Sequence, residues 1–504
     1  MVDKDLLSIQ EARSLVRAAR AAQAEYSQLG QERIDAVIKA ISEVGIAHAE
    51  ELAQMAHEET GYGKPADKKT KNLLAAEKVY ACIKDMKTVG ILEEDKVNKV
   101  LKVAVPVGVI AGVVPSTNPT STVIYKSLIA LKSGNAVVFT PHPSAKKCIA
   151  ATVQYIKEAL HKCGVSTDLV SCVSVPTLEG SAELMKIADL ILATGGPGMV
   201  KAAYSSGTPA LGVGAGNVPA YIERSADIKD AVAKIFASKT FDNGTICASE
   251  QSIICDAVIA ADVKREVIAQ GGFFLEGENL AKVKAIMERG NGSMNPAIVG
   301  RDAQTVAKIA GITIPEGTRV LVSFQTTVGK DNPYSREKLC PILAFYTAEN
   351  WEEACDLSMK ILYNEGAGHT MTIHSEDMSV IREFALKKPV SRLLVNTPGT
   401  LGGVGASTGI QPALTLGCGA VGGSATADNV GPMNLIDIRR VAFGLKELDE
   451  VRGNYPAPEV PCCQAPAPRY PDTTCAASGE KAMTSLSKSD IEAITRAVLA
   501  HFNR

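Results

Sequence analysis

A cysteine in a glycine-containing turn is the residue of this 504-residue chain best suited to covalent chemistry. Cys247 follows Gly244 closely and precedes a short apolar run at residues 252–254. A cysteine in such a turn can face a cleft while its backbone N–H points at a bound carbonyl group. Most free cysteines are instead small buried hydrophobic residues, and this position taken alone favours that alternative.

The segments around Cys247 must provide the cleft. Short apolar strands at residues 136–139, 169–175 and 190–193 alternate with helix-length segments, and a second region of this kind begins near residue 237. Strand–helix alternation predicts mainly parallel sheets that are covered by helices on both faces. We therefore predict an α/β fold.

The composition favours a protein of the cytoplasm. The formal net charge is −2 at pH 7, whereas general nucleic-acid binding requires a basic excess. The best apolar stretch, residues 103–114, is shorter than the roughly 20 residues that span a membrane. The charged first residues lack a signal peptide, which favours reduced cysteines. The spacing of the cysteines in the folded regions predicts no metal site. We expect no nucleic-acid or membrane partner.

The composition changes near residue 450. Six prolines lie between residues 454 and 471, which predicts a flexible or extended linker over residues 451–486. An amphipathic helix is predicted for residues 487–504, because its apolar residues fall on one stripe.

Three motifs resemble those of the aldehyde dehydrogenase superfamily. Residues 107–120 resemble the stretch that ends in the family's oxyanion-hole asparagine, here Asn118. Residues 337–343 resemble the motif whose glutamate contacts the nicotinamide ribose, and residues 192–198 resemble the loop that approaches the cofactor. Cys247 then matches the catalytic cysteine. The cofactor-binding residues that this resemblance implies are Thr140, Pro141, His142, Gly195, Gly196, Gly214, Glu337 and Leu339.

The resemblance implies a covalent mechanism. The Cys247 thiolate would attack an aldehyde, and the side-chain amide of Asn118 and the backbone N–H of Cys247 would bind the oxyanion. Loss of one such donor typically lowers the rate about 10²–10³-fold. Hydride transfer to NAD would leave a thioester on Cys247. The alternative for Asn118 is a turn residue before Pro119.

One position departs from the hydrolytic members of the family. These carry a water-activating glutamate, and alignment on the final proline of residues 212–219 places Val213 there, 34 residues before Cys247. Valine cannot accept a proton. A thiol ionises with a pKa near 8.5, far below that of water, so the change is compatible with coenzyme A as the acyl acceptor. A hydrolytic enzyme with another base, such as Glu250, is the first alternative, and a catalytically idle scaffold is the second.

The residues of these motifs are similar to those of the CoA-acylating branch of the family. Within this branch, they are similar to the aldehyde dehydrogenase half of bifunctional aldehyde-alcohol dehydrogenases. The alcohol dehydrogenase half is absent. His369 is a candidate to orient the substrate or to assist thiol deprotonation, and a structural histidine is equally compatible. The usual Lys-Pro cofactor motif is replaced by residues 140–143, so NADP remains an alternative to NAD. Acetaldehyde and propionaldehyde are the first expected substrates, and sulfoacetaldehyde is the third.

The resemblance covers roughly residues 10–445 and implies the aldehyde dehydrogenase fold, with a Rossmann-like cofactor domain, an α/β catalytic domain and a small β oligomerisation element. The expected parts are an NAD-binding domain at 1–92 and 109–236, a catalytic domain at 237–425, and an oligomerisation element at 93–108 and 426–450. A homodimer or homotetramer is expected.

The tail resembles the encapsulation peptides of bacterial microcompartment enzymes. We expect residues 487–504 to bind the shell or other cargo, which would place the enzyme inside such a compartment. The alternative is a helix that docks on its own body or on a sister subunit.

Overall fold

The β-strands of this protein form two fully parallel sheets and one small antiparallel sheet. The computed structural model describes residues 3–290 and 292–453. In chain order, the strands are β1 (Gly90–Asp95), β2 (Val100–Pro106), β3 (Val109–Val114), β4 (Ala136–Pro141), β5 (Val170–Cys172), β6 (Leu190–Thr194), β7 (Ala210–Val213), β8 (Val218–Ile222), β9 (Glu250–Asp256), β10 (Gly272–Phe274), β11 (Val320–Phe324), β12 (Ile342–Ala348), β13 (Gly368–His374), β14 (Val390–Val395) and β15 (Ile436–Ala442).

The α-helices connect these strands and cover the parallel sheets. In chain order, they are α1 (Lys4–Tyr26), α2 (Gln31–Ala47), α3 (Ala49–Thr60), α4 (Pro65–Leu73), α5 (Tyr80–Ile83), α6 (Pro119–Lys132), α7 (Lys146–Lys162), α8 (Leu178–Ile187), α9 (Pro197–Tyr204), α10 (Ile228–Thr240), α11 (Ala260–Ala269), α12 (Gly277–Met287), α13 (Ala303–Ala310), α14 (Trp351–Asn364), α15 (Met378–Lys387), α16 (Gly399–Gly403) and α17 (Leu448–Arg452).

The first parallel sheet has the strand order β5-β4-β3-β6-β7. Every residue of β3 and β4 is buried, as the apolar runs predict for strands that are covered on both faces. After β3 the chain builds β4 and β5 on one side, and then returns to build β6 and β7 on the other. Such a reversal opens a crevice at the carboxyl ends of the central strands. The part of the fold that contains this sheet is therefore Rossmann-like, as predicted.

The second parallel sheet has the order β10-β11-β12-β9-β8-β13-β14. The chain passes from one sheet to the other within residues 214–217, because β8 pairs with β9 and β13. This crossing lies earlier in the chain than residue 236, where we predicted the end of the NAD-binding domain. The domain limits themselves stay a prediction.

The antiparallel sheet has the order β1-β2-β15. It joins the two regions in which we predicted the oligomerisation element, although β1 already begins at Gly90. Most of β15 is exposed after Ile436. A role of this sheet in oligomerisation stays a prediction.

The end of the chain forms a separate unit that begins at Gly444. The predicted linker at 451–486 and the predicted helix at 487–504 lie outside the described residues, except for residues 451–453. Within residues 3–290 and 292–453, no helix is long and apolar enough to cross a membrane.

Candidate active site

A cavity of about 780 Å³ lies where the two parallel sheets meet. The turns that follow β3, β4, β6 and β7 and the segments that precede β9 and β12 contribute to its lining. All predicted site residues except His369 line this cavity: Asn118, Thr140, Pro141, His142, Gly195, Gly196, Gly214, Cys247, Glu337 and Leu339.

The turn before Cys247 has an uncommon backbone. Asp242 (φ 46°), Asn243 (φ 53°) and Gly244 (φ 77°) are consecutive left-handed residues between α10 and β9. A non-glycine residue in this conformation costs on the order of 1–3 kcal/mol and persists only where its surroundings hold it. The side chain of Asp67 accepts the N–H of Asp242 at 2.8 Å. The turn is thus held from outside, and it presents Cys247 to the cavity.

The backbone of Gly216 packs directly against that of Cys247. A Cβ atom at residue 216 would lie 1.7 Å from the carbonyl oxygen of Cys247, so no larger residue fits. The Gly216 N–H donates to Oε1 of Glu337 at 2.9 Å. Gly216 therefore contacts both Cys247 and Glu337, and the sequence did not reveal this role.

The Cys247 thiol is neutral in the resting enzyme. Burial is the main cause that raises its pKa to about 12, the Glu337 carboxyl adds to this shift once it ionises, and the positive charge of Arg392 opposes it. Burial likewise raises the pKa of Glu337 to about 8, so this carboxyl is largely protonated at neutral pH. Reaction at Cys247 therefore requires removal of the thiol proton.

Asn118 precedes α6 and is hydrogen-bonded to the turn at residues 242–247, which is called the nucleophile turn after the role expected of Cys247. Its Nδ2 donates to Thr245 O at 3.2 Å and to Thr117 Oγ1 at 3.1 Å. Its Oδ1 accepts a hydrogen bond from the Lys71 ammonium at 2.5 Å. These contacts turn the amide N–H groups of Asn118 towards the Cys247 turn. The backbone N–H of Cys247 donates to no other backbone group of the described residues, so both expected oxyanion donors lie at this turn.

His369 lies in β13 and is not part of the cavity wall. Its side chain is fully buried, with Nδ1 at 2.9 Å from Thr370 Oγ1. Burial, followed by the positive charge of Arg392, lowers the pKa of His369 well below its usual value, so the ring is neutral. Its suggested part in the chemistry stays a prediction, and its position favours the structural alternative.

The residue at the expected place of the hydrolytic base is apolar and lies in the cavity wall. Val213 is 3% exposed. Glu250, the alternative base, is fully buried and is absent from this wall. Its Oε1 accepts the Gly399 N–H at 2.7 Å, and burial raises its pKa to about 7.

One part of the cavity wall is suited to bind the phosphate groups of a dinucleotide. Gly196 precedes α9, no side chain caps this helix, and a Cβ on Gly196 or Gly198 would meet nothing within 4 Å. Phosphate groups can therefore approach the backbone N–H groups of the helix end. Among the described cavity residues, Glu337 carries the only carboxylate.

Several buried charges near the site were not predicted from the sequence. Lys68 and Lys71 of α4 contact Asp242 in the nucleophile turn. The Arg392 side chain donates to the carbonyl oxygens of His369 and Gly417. The spacing of the two lysines fits one helix face, but nothing in the sequence links that face to the turn.

Cys247 and the Asn118 amide thus line one cavity between the two parallel sheets. The sequence pattern of the aldehyde dehydrogenase family matches residues 6–411. The chain belongs to this family, which confirms the predicted family and fold.

Three relatives show the range of similarity. The bifunctional aldehyde-alcohol dehydrogenase of Escherichia coli strain K12 is 42% identical over 442 residues, which cover 86% of this chain and 50% of the relative. The crystal structure of an acetylating aldehyde dehydrogenase from Geobacillus thermoglucosidasius is 50% identical, with a TM-score of 0.87 and coverage of 89% and 99%. A propionaldehyde dehydrogenase from the fucose utilisation microcompartment of Clostridium phytofermentans is 30% identical, with a TM-score of 0.78 and coverage of 86% and 97%.

The E. coli relative is longer than this chain. The chain spans about half the length of this bifunctional relative. It spans almost the whole of the two solved structures.

Proposed function

We propose that this chain is an NAD-dependent, CoA-acylating aldehyde dehydrogenase, which converts an aldehyde, CoA and NAD⁺ into acyl-CoA, NADH and a proton. The observation that carries this proposal is Val213, an apolar residue in the cavity wall. The name of the Geobacillus relative, an acetylating enzyme, supports it.

The residues of the chain have distinct parts in this reaction. Cys247 adds to the aldehyde carbon, and Asn118 together with the Cys247 backbone N–H binds the resulting oxyanion. The nicotinamide cofactor, when bound, supplies the hydride acceptor. Collapse of the adduct leaves an acyl thioester on Cys247, which the thiol of CoA then attacks to release acyl-CoA.

Among the described cavity residues, no carboxyl group is mostly ionised at neutral pH. Glu337 has the only carboxylate among the described cavity residues, and its raised pKa of about 8 keeps it protonated at neutral pH. A thiol with a pKa near 8.5 forms some thiolate without help, whereas water does not ionise appreciably. The thioester on Cys247 is therefore expected to persist until CoA attacks it. Glu250, the base of the hydrolytic alternative, lies outside the cavity wall.

The substrate is proposed to be a short, uncharged aldehyde. Four apolar side chains that line the cavity come from residue 246 and from the segment 404–416, namely Ile246, Val404, Leu414 and Leu416. Burial of a small alkyl group against such residues is favourable. Acetaldehyde and propionaldehyde fit this description, and the Clostridium relative is named a propionaldehyde dehydrogenase. Sulfoacetaldehyde ranks third, because its sulfonate requires a cation and Arg289 is the only lysine or arginine among the described cavity residues.

A panel of aldehydes tests this proposal. NADH formation is followed for acetaldehyde, propionaldehyde and sulfoacetaldehyde, each with and without CoA, and with NADP⁺ in place of NAD⁺. We expect sustained turnover only with CoA, and the highest kcat/KM with one of the two uncharged aldehydes. Sustained turnover without CoA would favour the hydrolytic alternative, and absence of all activity would favour the scaffold.

We further propose that the enzyme is enclosed in a bacterial microcompartment through residues 487–504, which lie outside the described residues. The support is their amphipathic pattern after a proline-rich linker and the microcompartment origin of the Clostridium relative. Deletion of residues 487–504 should leave kcat and KM unchanged, because the cavity residues all lie before this segment. The truncated enzyme should no longer co-purify with shells. Unchanged co-purification would contradict the proposal.

We also propose that the protein is a homo-oligomer that assembles through the antiparallel sheet. The exposed apolar residues Ile438, Val441 and Phe443 lie in or beside β15. Burial of such residues at a subunit interface is favourable.

A further inference from the structure

Three charged side chains are buried together beneath the nucleophile turn. Lys68 and Lys71 lie on α4, and each is 2% exposed. Asp242, which is fully buried, lies in the left-handed turn before Cys247. Lys68 Nζ is 3.0 Å from Oδ2 of Asp242, and Lys71 donates to the same oxygen.

The cluster carries an excess of positive charge. Burial raises the pKa of Asp242, but the two ammonium groups and the Lys64 backbone N–H outweigh this effect, so the pKa is lowered overall. One carboxylate then faces two lysines. Burial lowers the pKa of Lys71 to about 8, although Asp242 opposes the shift, so Lys71 is mostly protonated at neutral pH.

The two lysines differ in what else they contact. Lys71 Nζ donates to Asn118 Oδ1 at 2.5 Å and to Thr245 Oγ1 at 3.0 Å. Lys68 Nζ donates instead to the backbone oxygen of Thr117 at 3.1 Å. Only Lys71 therefore touches the side chain that is expected to bind the oxyanion.

This contact fixes which way the Asn118 amide points. An ammonium group is a donor only and an amide oxygen is an acceptor only, so the amide oxygen must face Lys71 and the NH₂ group must face the opposite side. The positive charge also draws electron density towards the amide oxygen, which makes the N–H groups stronger donors. The Asn118 amide makes two long contacts, to neutral acceptors, and an oxyanion can displace one of them.

We infer that Lys71 is a positioning residue for the oxyanion site, and that its ammonium group orients and polarises the Asn118 amide during attack by Cys247. The inference rests on the proposed function only for the addition of Cys247 to an aldehyde, and it does not depend on CoA. Lys71 acts through Asn118 and does not itself contact the reacting atoms.

The test measures the NADH that forms in the first turnover. This quantity does not depend on which acyl acceptor the enzyme uses. Enzyme, aldehyde and NAD⁺ are mixed without CoA, and the burst of NADH reports acylation of Cys247 whether CoA or water is the later acceptor. Lys71→Met should slow the burst about 10–100-fold, less than complete loss of an oxyanion donor. Lys68→Met is the matched comparison, because it removes an equally buried ammonium from the same carboxylate but no hydrogen bond to the Asn118 side chain. Its burst should slow much less.

A pH profile tests the charge of Lys71. Its neighbours in the fold are Asp242, Lys68 and Asp67, together with Asn118, Thr245 and the ring of Phe241, whose centroid is 5.8 Å away. The protonated form is the effective one, so the ratio of the parent burst rate to that of Lys71→Met should fall as pH rises through about 8. This ratio cancels the titration of Cys247 and Glu337, which both enzymes share. Lys71→Arg, whose guanidinium stays charged, should shift this fall to higher pH and should retain more activity than Lys71→Met.

Two results would overturn the inference. One is an equal slowing in Lys68→Met and Lys71→Met that follows their loss of thermal stability, which indicates a purely structural role. The other is a fall at alkaline pH that occurs at the same pH in Lys71→Arg as in the parent enzyme. If Lys71→Met does not fold, Lys71→Arg carries the test. If the parent enzyme gives a burst but no CoA-dependent turnover, the proposed acyl acceptor is wrong and the inference on Lys71 is still decided by these variants.

Discussion

Replacement of Cys247 by alanine should abolish NADH formation from every aldehyde, both in the burst and in steady turnover. The residue provides the atom that bonds to the substrate, and no second thiol lines the cavity among the described residues. Loss of the nucleophile in a serine protease lowers kcat by about 2 × 10⁶-fold, so a loss of roughly four to six orders of magnitude is expected here. Stopped-flow and steady-state absorbance at 340 nm measure both phases.

A second cysteine variant serves as the control. Cys82 is half-buried at α5 and does not line the cavity. Cys82→Ala should therefore retain both the burst and the turnover of the parent enzyme. Normal activity of Cys247→Ala would remove this residue from the chemistry, and equal loss in both variants would indicate general destabilisation.

Replacement of Asn118 by alanine is expected to lower kcat about 10²–10³-fold, with a much smaller change in the KM for the aldehyde. One of the two expected oxyanion donors disappears, and such donors act mainly in the transition state. The hydrogen bond from Lys71 at 2.5 Å loses its acceptor at the same time. Steady-state kinetics with saturating NAD⁺ and CoA measure the effect.

An isosteric variant separates loss of the donor from loss of packing. Asn118→Asp keeps the shape and can pair with Lys71, but its carboxylate has no N–H to donate. It should lose as much activity as Asn118→Ala while it keeps the thermal stability of the parent enzyme. Near-normal kcat in Asn118→Asp would show that Asn118 is the turn residue of the alternative interpretation.

The parallel sheets could be predicted because their strands are short apolar runs that alternate with helices. The sheet to which each strand belongs could not be predicted. Only residues 214–217 separate β7 from β8, yet the two strands lie in different sheets. Neighbouring strands in sequence usually pair, so the crossing between the sheets depends on contacts with β9 and β13 that sequence distance does not indicate.

The site residues that lie within family-like motifs could be predicted from the sequence. The residues that support them could not. Cys247 and Asn118 come together at one cavity, as the resemblance implies. Lys64, Asp67, Lys68 and Lys71 form a charged run, which is typical of a solvated helix face. Lys68 and Lys71 are buried instead, because a carboxylate from residue 242 meets them there. No local pattern reveals a partner so distant in sequence.

The most direct measurement of the central claim is the intact mass of the enzyme after it reacts with propionaldehyde and NAD⁺ in the absence of CoA. We expect a mass increase of one acyl group, located on the peptide that contains Cys247. The adduct should persist in water and should disappear on addition of CoA as acyl-CoA forms. Rapid release of the carboxylic acid without CoA, or an adduct on another residue, would contradict the account.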